Sequence, residues 1–309
     1  MILNSDIESL FTKQVKKDSR ITNAFLLVHS DKCDLHINVA EGTTGTGDIP
    51  STPQQPNYMA SVGKLFTSVL IGMLYEQKEL SFDEKISKYL DSDLMEGLHV
   101  YKGKNYAEEI QIRHLLNQSS GLPDHFYPLL DRLLKDSRFS ITPREAMEWT
   151  KENATPVAPP GKKAFYSDTN YHLLGFIIEE ITGKPFHKAL RDMIFVPLGM
   201  KHSWMLHYSE PDEPIHLPVA DFYFDDTRLN ELEQFARIDY AGGGVVAPLE
   251  EFLWFMKAIV NHQLLAAETV DIMINDKVSL YPPLTTGMES GRLNLFRLCC
   301  LQNTAVGGF

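Results

Sequence analysis

Cysteine is scarce. The 309-residue chain has 3, at Cys33, Cys299 and Cys300. An odd count with two adjacent members and no knuckle spacing excludes a disulfide framework and a cysteine-ligated metal. The 11 histidines are scattered, with no HExxH pattern and no His/Cys pairing. Neither a metal nor an organic cofactor is expected. Long apolar runs are missing as well. None approaches the roughly 18 residues that a membrane-spanning helix needs. The N-terminal MILNSDIESLFTKQVKKDSR has no basic segment leading into an apolar one, so no secretory signal and a cytoplasmic location are expected. Positive charge is in the minority, with 29 Lys and Arg against 41 Asp and Glu, a net −12. An acidic chain without a basic stripe is no candidate for phosphate backbones, and no nucleic-acid partner is expected.

What is present is ordinary globular material. Apolar residues make up 43% and charged residues 23%, enough for a sizeable core in one large or two interleaved domains. Residues 5–17 read as a short amphipathic helix. Residues 21–30 and 33–42 read as two strands around a tight turn at Asp31-Lys32. The Gly, Thr and Pro-rich 43–57 reads as a loop. Residues 61–77, SVGKLFTSVLIGMLYEQ, are apolar nearly all round, which predicts a buried helix. Between about 81 and 235 the pattern is helical with polar loops, and Asp83 and Thr142-Pro143 supply helix starts. A Gly-rich turn at 242–244 and a helix over 248–260 follow. The expected fold class is mixed α+β, with an all-helical insertion. The strands at 21–42 need partners, which must come from the C-terminal stretch, so the α/β part is discontinuous.

Three patterns carry chemistry. In Ser61-Val62-Gly63-Lys64, a serine at a helix start has its backbone N–H free for an oxyanion. A lysine three residues on shares its helix face. Leu65, Phe66, Val69 and Leu70 would desolvate that amine and lower its pKa, as a proton acceptor needs. The same pattern also fits an N-cap serine followed by an unrelated lysine. Tyr166-Ser167-Asp168 precedes a helix. A tyrosine beside an ammonium loses its proton more easily and can relay one. It also fits a half-buried aromatic with Ser167 or Asp168 as N-cap. Gly242-Gly243-Gly244 fits a close approach to a ligand or a turn feeding the next helix. Ser119-Ser120-Gly121 with Pro123 reads as a helix stop and turn. Phe126, Tyr127, Trp149, Phe222 and Tyr223 could line an acyl pocket or pack in the core. His125 and His172 are alternative bases, less needed where lysine and tyrosine are at hand.

Taken together, these stretches resemble the penicillin-recognising serine hydrolases. That group holds class C β-lactamases, D-alanyl-D-alanine carboxypeptidases and β-lactamase-like esterases. The resemblance runs from about Tyr58 to Ile272. It rests on residues 59–90, on IRHLLNQSSGLPD (112–124) and on PGKKAFYSDTNYHLLGFIIEEITGKPF (160–186). It also rests on IFVPLGMKHSWM (194–205) and AGGGVVAPLEEFLWFMKAIVN (241–261). It implies a β-lactamase/transpeptidase-like fold, an antiparallel sheet flanked by helices. Ser61 looks like the acylated nucleophile, Lys64 like its activating partner and Tyr166 like the general base and acid. Asp168 fills the third place of the Y-x-N motif, where many members have asparagine. A carboxylate only accepts hydrogen bonds, whereas an amide also donates. Asp168 also favours the ammonium form of Lys64.

The family's third motif, often Lys-Thr-Gly, is absent as such. By distance from Gly242 its place falls at Val306-Gly307-Gly308-Phe309, which makes Gly307 and Gly308 candidate substrate-binding residues. Thr285-Thr286-Gly287 is a further local match that comes early. Family members continue with more strands and a helix, so the sheet is expected to be incomplete here.

The expected organisation is a discontinuous domain, 1–80 with 236–309, and a helical domain, 81–235, with the active site between them. The expected activity is serine hydrolysis through an acyl-enzyme, on carboxylic esters first. The alternatives are peptidase, D-aminopeptidase or β-lactamase activity, or a catalytically silent ligand-binding relative. The partner is a small ester, amide or lactam, and the sequence leaves the oligomeric state open.

Overall fold

The apolar stretch after Ser61 forms the helix around which the rest packs. The computed structural model describes residues 4–45, 49–276, 278–279 and 292–293. The helix Lys64–Glu76, here the serine helix, buries every residue from Lys64 to Gly72, and Leu74. A helix without a polar stripe has no face to give to water. Phe66 stacks on Phe255 with ring centroids 3.9 Å apart and meets Phe195 edge-on at 5.8 Å.

Strands β1 (Asn23–Ser30) and β2 (Leu35–Thr44) form an antiparallel hairpin, running from Asn23 opposite Gly42 to Ser30 opposite Leu35. The expected turn at Asp31-Lys32 is a 3-10 turn, Asp31–Cys33, closed by Cys33 N–H donating to Ser30 Oγ at 3.3 Å. Helix Asn4–Val15 packs against β2.

The stretch 43–57, expected as a loop, instead carries two short strands. β3 (Ile49–Pro50) extends the hairpin sheet, and β4 (Pro56–Tyr58) opens a second sheet. There Val245–Pro248 runs antiparallel between β4 and Trp204–Met205. Pro50 and Pro56 hid these strands. Both stand on edge strands, where a missing N–H costs the ladder little. Among the described residues, the C-terminal stretch contributes a pairing of Val278–Ser279 with Arg292–Leu293.

Between 81 and 235 the main elements are helices, notably Phe126–Lys135, Pro143–Asn153 and Asp168–Thr182. The start at Thr142 is as expected. Thr142 Oγ1 accepts from Glu145 N–H, and Glu145 Oε2 accepts from Thr142 N–H, a reciprocal cap. Asp83 does not start a helix. Its segment makes turns and a short 3-10 helix, Ile86–Lys88, because its backbone is taken sideways. Ile86 N–H donates to Ile110 O, and Ile112 N–H donates to Glu84 O. Tertiary pairing here overrides a helical pattern.

Two glycines bring the serine turn against the 240–244 segment. A Cβ on Gly63 would lie 2.8 Å from Gly243 Cα. One on Gly243 would lie 2.4 Å from an Asp239 carboxyl oxygen and 2.7 Å from Ala60 O. Most of these neighbours are backbone and cannot rotate away. Gly243→Ala is therefore expected to cost about 1–3 kcal/mol. Urea unfolding reads this as a lower midpoint at unchanged slope; an unchanged midpoint would contradict the packing argument.

Candidate active site

Ser61 stands on the 3-10 turn Ala60–Gly63, which runs directly into the serine helix. Met59 N–H donates to Val245 O at 2.8 Å and ties the turn to the second sheet. Ala60 has φ 47, a left-handed conformation that costs a non-glycine residue about 1 kcal/mol. Ser61 itself is exposed. Backbone N–H groups in the first turn of a helix have no acceptor within it, so that of Ser61 is available to an oxyanion.

Lys64 lies one turn on and is fully buried. Its Nζ reaches Gly242 O at 2.7 Å and Ser61 Oγ at 3.4 Å, and forms an ion pair with Asp168. Three acceptors thus meet the three N–H groups of an ammonium. The rings of Tyr166 and Tyr171 flank it, with centroids 5.1 and 5.6 Å away. Burial among apolar residues pulls this lysine down, as expected. The Asp168 carboxylate and the Tyr166 phenol outweigh that pull and hold Lys64 above the ordinary lysine range. The expectation of a depressed amine is corrected: resting Lys64 is an ammonium ion.

Tyr166 OH donates to Ser61 Oγ at 2.7 Å. The side chain is partly exposed, but desolvation of its hydroxyl raises its pKa more than the Lys64 ammonium lowers it, so the resting group is a phenol. Here too the expected easier ionisation gives way to desolvation. Asp168 opens the helix Asp168–Thr182, and its carboxylate is spent on Lys64. Ser167 occupies the cap position, but its Oγ donates to Pro123 O at 2.9 Å. The acceptor for the helix start comes from elsewhere: Asp124 Oδ1 takes the Asp168 N–H at 2.8 Å. Burial, and then the Asp168 charge, push the Asp124 carboxyl up to about 6.

The 238–244 segment closes the site as a strap of tied carbonyls. Ala241 O accepts from Thr67 Oγ1 at 2.7 Å, and Gly242 O accepts from Lys64. Ile238 O meets His125 Nε2 at 3.1 Å and His172 Nε2 at 3.0 Å. Both imidazoles are buried and held low by burial, His125 at about 4. They brace the strap, and neither is hydrogen-bonded to Ser61. Asp239 is buried beside Gly243, and burial pushes its carboxyl up to about 8. Tyr58 OH donates to it.

The structure thus brings Ser61, Lys64, Tyr166 and Asp168 together. The candidate motifs Val306-Gly307-Gly308-Phe309 and Thr285-Thr286-Gly287, with Gly307 and Gly308, lie outside the described residues. Gly242-Gly243-Gly244 serves a close approach, but to the serine turn. The helix Ile112–Leu116 stops just before Ser119-Ser120-Gly121, as read, but the turn falls at Asn117-Gln118, and Ser120 Oγ donates to Asn170 Oδ1 at 2.5 Å. Of the aromatics, Phe222 stacks on Tyr58 at 4.4 Å, Phe126 meets Phe235 at 6.0 Å, and Trp149 packs on the core. Tyr127 and Tyr223 are exposed. Sequence reading missed Asp124, Asp239, Tyr58 and Thr67. Asp124 sits in the GLPD stretch and Asp239 just before the glycines, yet only the fold aims their carboxyls inward.

The chain is similar to known proteins over most of its length. An Escherichia coli (strain K12) protein provisionally named D-alanyl-D-alanine carboxypeptidase is 33% identical over 148 residues, covering 47% of this chain and 32% of that protein. The chain spans about a third of the length of such curated relatives. The solved D-amino acid amidase from Ochrobactrum anthropi SV3, complexed with L-phenylalanine amide, superposes with TM-score 0.75 at 23% identity, over 93% of this chain and 79% of that one. EstCE1, described as a hydrolase with promiscuous acyltransferase activity, gives TM-score 0.67 at 19% identity, over 88% of this chain and 77% of that one. The two solved structures show a shared fold. A family model described as Beta-lactamase matches residues 7–292, and the chain belongs to that family, the β-lactamase and penicillin-binding-protein group of serine hydrolases.

Proposed function

We propose that this protein hydrolyses carboxylic esters through an acyl-enzyme formed on Ser61. The observation that carries the reading is the convergence of Tyr166 OH and Lys64 Nζ on one serine oxygen, at 2.7 and 3.4 Å. Ser61 Oγ attacks the ester carbonyl, and its proton passes to the oxygen of ionised Tyr166. The bond from the carbonyl carbon to the leaving oxygen breaks, and Tyr166 returns the proton to that oxygen. Water repeats the sequence and releases the acid. Lys64 stays cationic and steadies the phenolate beside it. The Ser61 N–H holds one side of the oxyanion, and the resemblance assigns the other side to Gly307 and Gly308. In this reading segments 1–80 and 236–309 form one domain and 81–235 the other. The first brings Ser61, Lys64 and Gly242, and the second brings Tyr166 and Asp168.

The ester preference follows from Asp168. Its carboxylate cannot donate to a substrate carbonyl, and Lys64 already occupies it. The acyltransferase activity in EstCE1's description fits an acyl-enzyme that a second acceptor can resolve. Hydrolysis of D-amino acid amides or peptides is the second reading, favoured by the names of the amidase and carboxypeptidase relatives.

The test is p-nitrophenyl acetate beside a D-amino acid p-nitroanilide and nitrocefin, with intact-mass detection of the adduct. Ester turnover above amide and lactam turnover supports the proposal, and amide or lactam turnover at equal kcat/KM overturns the preference. Ser61→Ala should lose the adduct and lower turnover by roughly 1000-fold or more. Tyr166→Phe should lower kcat by about 100-fold or more with KM little changed. A folded native chain that forms no adduct and releases no product would be a silent relative, and the hydrolase reading would fall.

The pH profile gives a separate check. With Lys64 an ammonium and Tyr166 a phenol at neutral pH, kcat/KM should climb into the alkaline range. Asp168→Asn removes a carboxylate that opposes the Tyr166 phenolate, so Tyr166 ionises more readily. The acid limb should then move down by about one unit or more, roughly a tenfold gain at neutral pH. An unmoved limb would show that Asp168 does not set the protonation of Tyr166.

A further inference from the structure

Away from Ser61, one cross-strand cluster has the makings of a ligand site. His29 and His36 are a register pair of the β1–β2 hairpin. Their Nδ1 atoms lie 3.1 Å apart, with ring centroids separated by 5.3 Å. Behind each ring stands a carboxylate. His36 Nε2 meets Glu250 Oε1 at 2.7 Å, and His29 Nε2 meets Asp31 Oδ1 at 3.0 Å. Lys257 Nζ lies 3.2 Å from His29 Nε2 and 3.1 Å from Asp31. Asn38 Nδ2 donates to Glu250 Oε1 at 2.9 Å.

Two proton arrangements fit these contacts. In the first, Lys257 donates to His29 Nε2, His29 Nδ1–H donates to His36 Nδ1, and His36 Nε2–H donates to Glu250. In the second, His29 Nε2–H turns to Asp31, and both Nδ1 atoms are bare. That leaves two lone pairs side by side, which a cation between them would relieve. Two imidazole nitrogens on one tetrahedral ion, each 2.0–2.1 Å from it, stand about 3.3 Å apart. A carboxylate behind a ligating histidine fixes its tautomer and raises its basicity. Asp31 and Glu250 against Lys257 leave the cluster one negative charge to offer.

We propose that His29 and His36 bind a divalent transition-metal ion, such as Zn²⁺, Ni²⁺ or Cu²⁺, through their Nδ1 atoms. Imidazole selects these ions over Mg²⁺ and Ca²⁺, which take oxygen ligands. Among the described residues no group of three or more His, Cys, Asp or Glu side chains is placed to hold a metal. The site therefore has two protein ligands, and water completes the shell. Glu250 and Lys257 both belong to the helix Leu249–Val260, so an ion here fastens the hairpin to that helix. The charged groups facing the pair are Asp31 on the turn, and Glu250 and Lys257 on the helix.

The experiment is calorimetric titration of the untagged chain with NiCl₂ and with MgCl₂ at neutral pH, beside thermal melts with and without metal. The expected result is one Ni²⁺ per chain at neutral pH, a raised melting temperature and no response to Mg²⁺. His29→Gln and His36→Gln should each weaken Ni²⁺ binding at least tenfold while melting normally in EDTA. Glu250→Gln should keep the site but weaken it by about tenfold or more. His262→Gln, at an exposed histidine elsewhere, should bind as the native chain does. Equal binding in the native chain and both ligand variants, or no binding by a chain that melts cooperatively, would overturn the proposal.

Discussion

One buried ion pair organises the site. Lys64 and Asp168 have side chains 0% and 7% exposed, so water does not solvate this charge. An ammonium out of water must find its hydrogen bonds in the protein, or burial becomes too costly. Its partners come from three elements: Ser61 at the start of its own helix, Asp168 at the start of another, and Gly242 on the strap between helix and sheet. Removing one partner of such a pair typically costs about 3–5 kcal/mol, because a lone charge is left behind. That penalty fixes the relative positions of all three. It also explains the glycines. A Cβ on Gly242 would lie 2.8 Å from Asp168 Oδ1 and 3.4 Å from Lys64 Nζ, so the strap can reach the ammonium only without a side chain.

The same confinement limits the negative charge nearby. Asp124 and Asp239 both lie close, and three ionised carboxylates around one ammonium would repel one another. Burial keeps Asp239 protonated at neutral pH, with its pKa at about 8. Asp124, at about 6, is mostly ionised there, at the N-terminus of the helix that begins with Asp168. A helix N-terminus carries partial positive charge and tolerates an anion. Each carboxyl thus takes the protonation state that its surroundings favour. Tyr58 then joins a neutral acid, tying β4 to the strap without adding charge.

The parts of this arrangement that were legible in the sequence are those that depend on neighbours along the chain. Ser61 and Lys64 sit three apart on a helix whose apolar character is continuous, so their shared face and burial could be read. Thr142, Pro143 and Glu145 specify a cap by spacing alone. Other features depended on the fold. Asp83 carries a helix-start signal, but the 110–112 segment captures its backbone. The short strands at Ile49–Pro50 and Pro56–Tyr58 exist because of the partners they find, and their prolines argued for a loop. The protonation of Lys64 was half legible. Leu65, Phe66, Val69 and Leu70 predict desolvation, and Asp168 was recognised as a counter-charge. The outcome turned on contact with a residue 104 positions away. His29 and His36 look unremarkable 7 residues apart, until the hairpin register places them opposite each other.

Exposure divides the roles in the proposed reaction. Lys64 is sealed at 0% exposure, while Tyr166 is 38% exposed and Ser61 is exposed as well. The groups that trade a proton are those that substrate and water can reach. The group that carries fixed charge is the one they cannot reach. A carboxylate at position 168, where the resemblance leads one to expect an amide, suits this division. It converts a lysine that could accept a proton into a permanent positive field beside a phenol. Such a field makes the phenolate easier to form without itself changing charge during turnover, and a preorganised charge needs no reorganisation when the transition state arrives. The cost is that the resting tyrosine is protonated. The proposed preference for esters over amides fits this, because an alkoxide or phenoxide leaves more readily than an amine and asks less of the acid that follows.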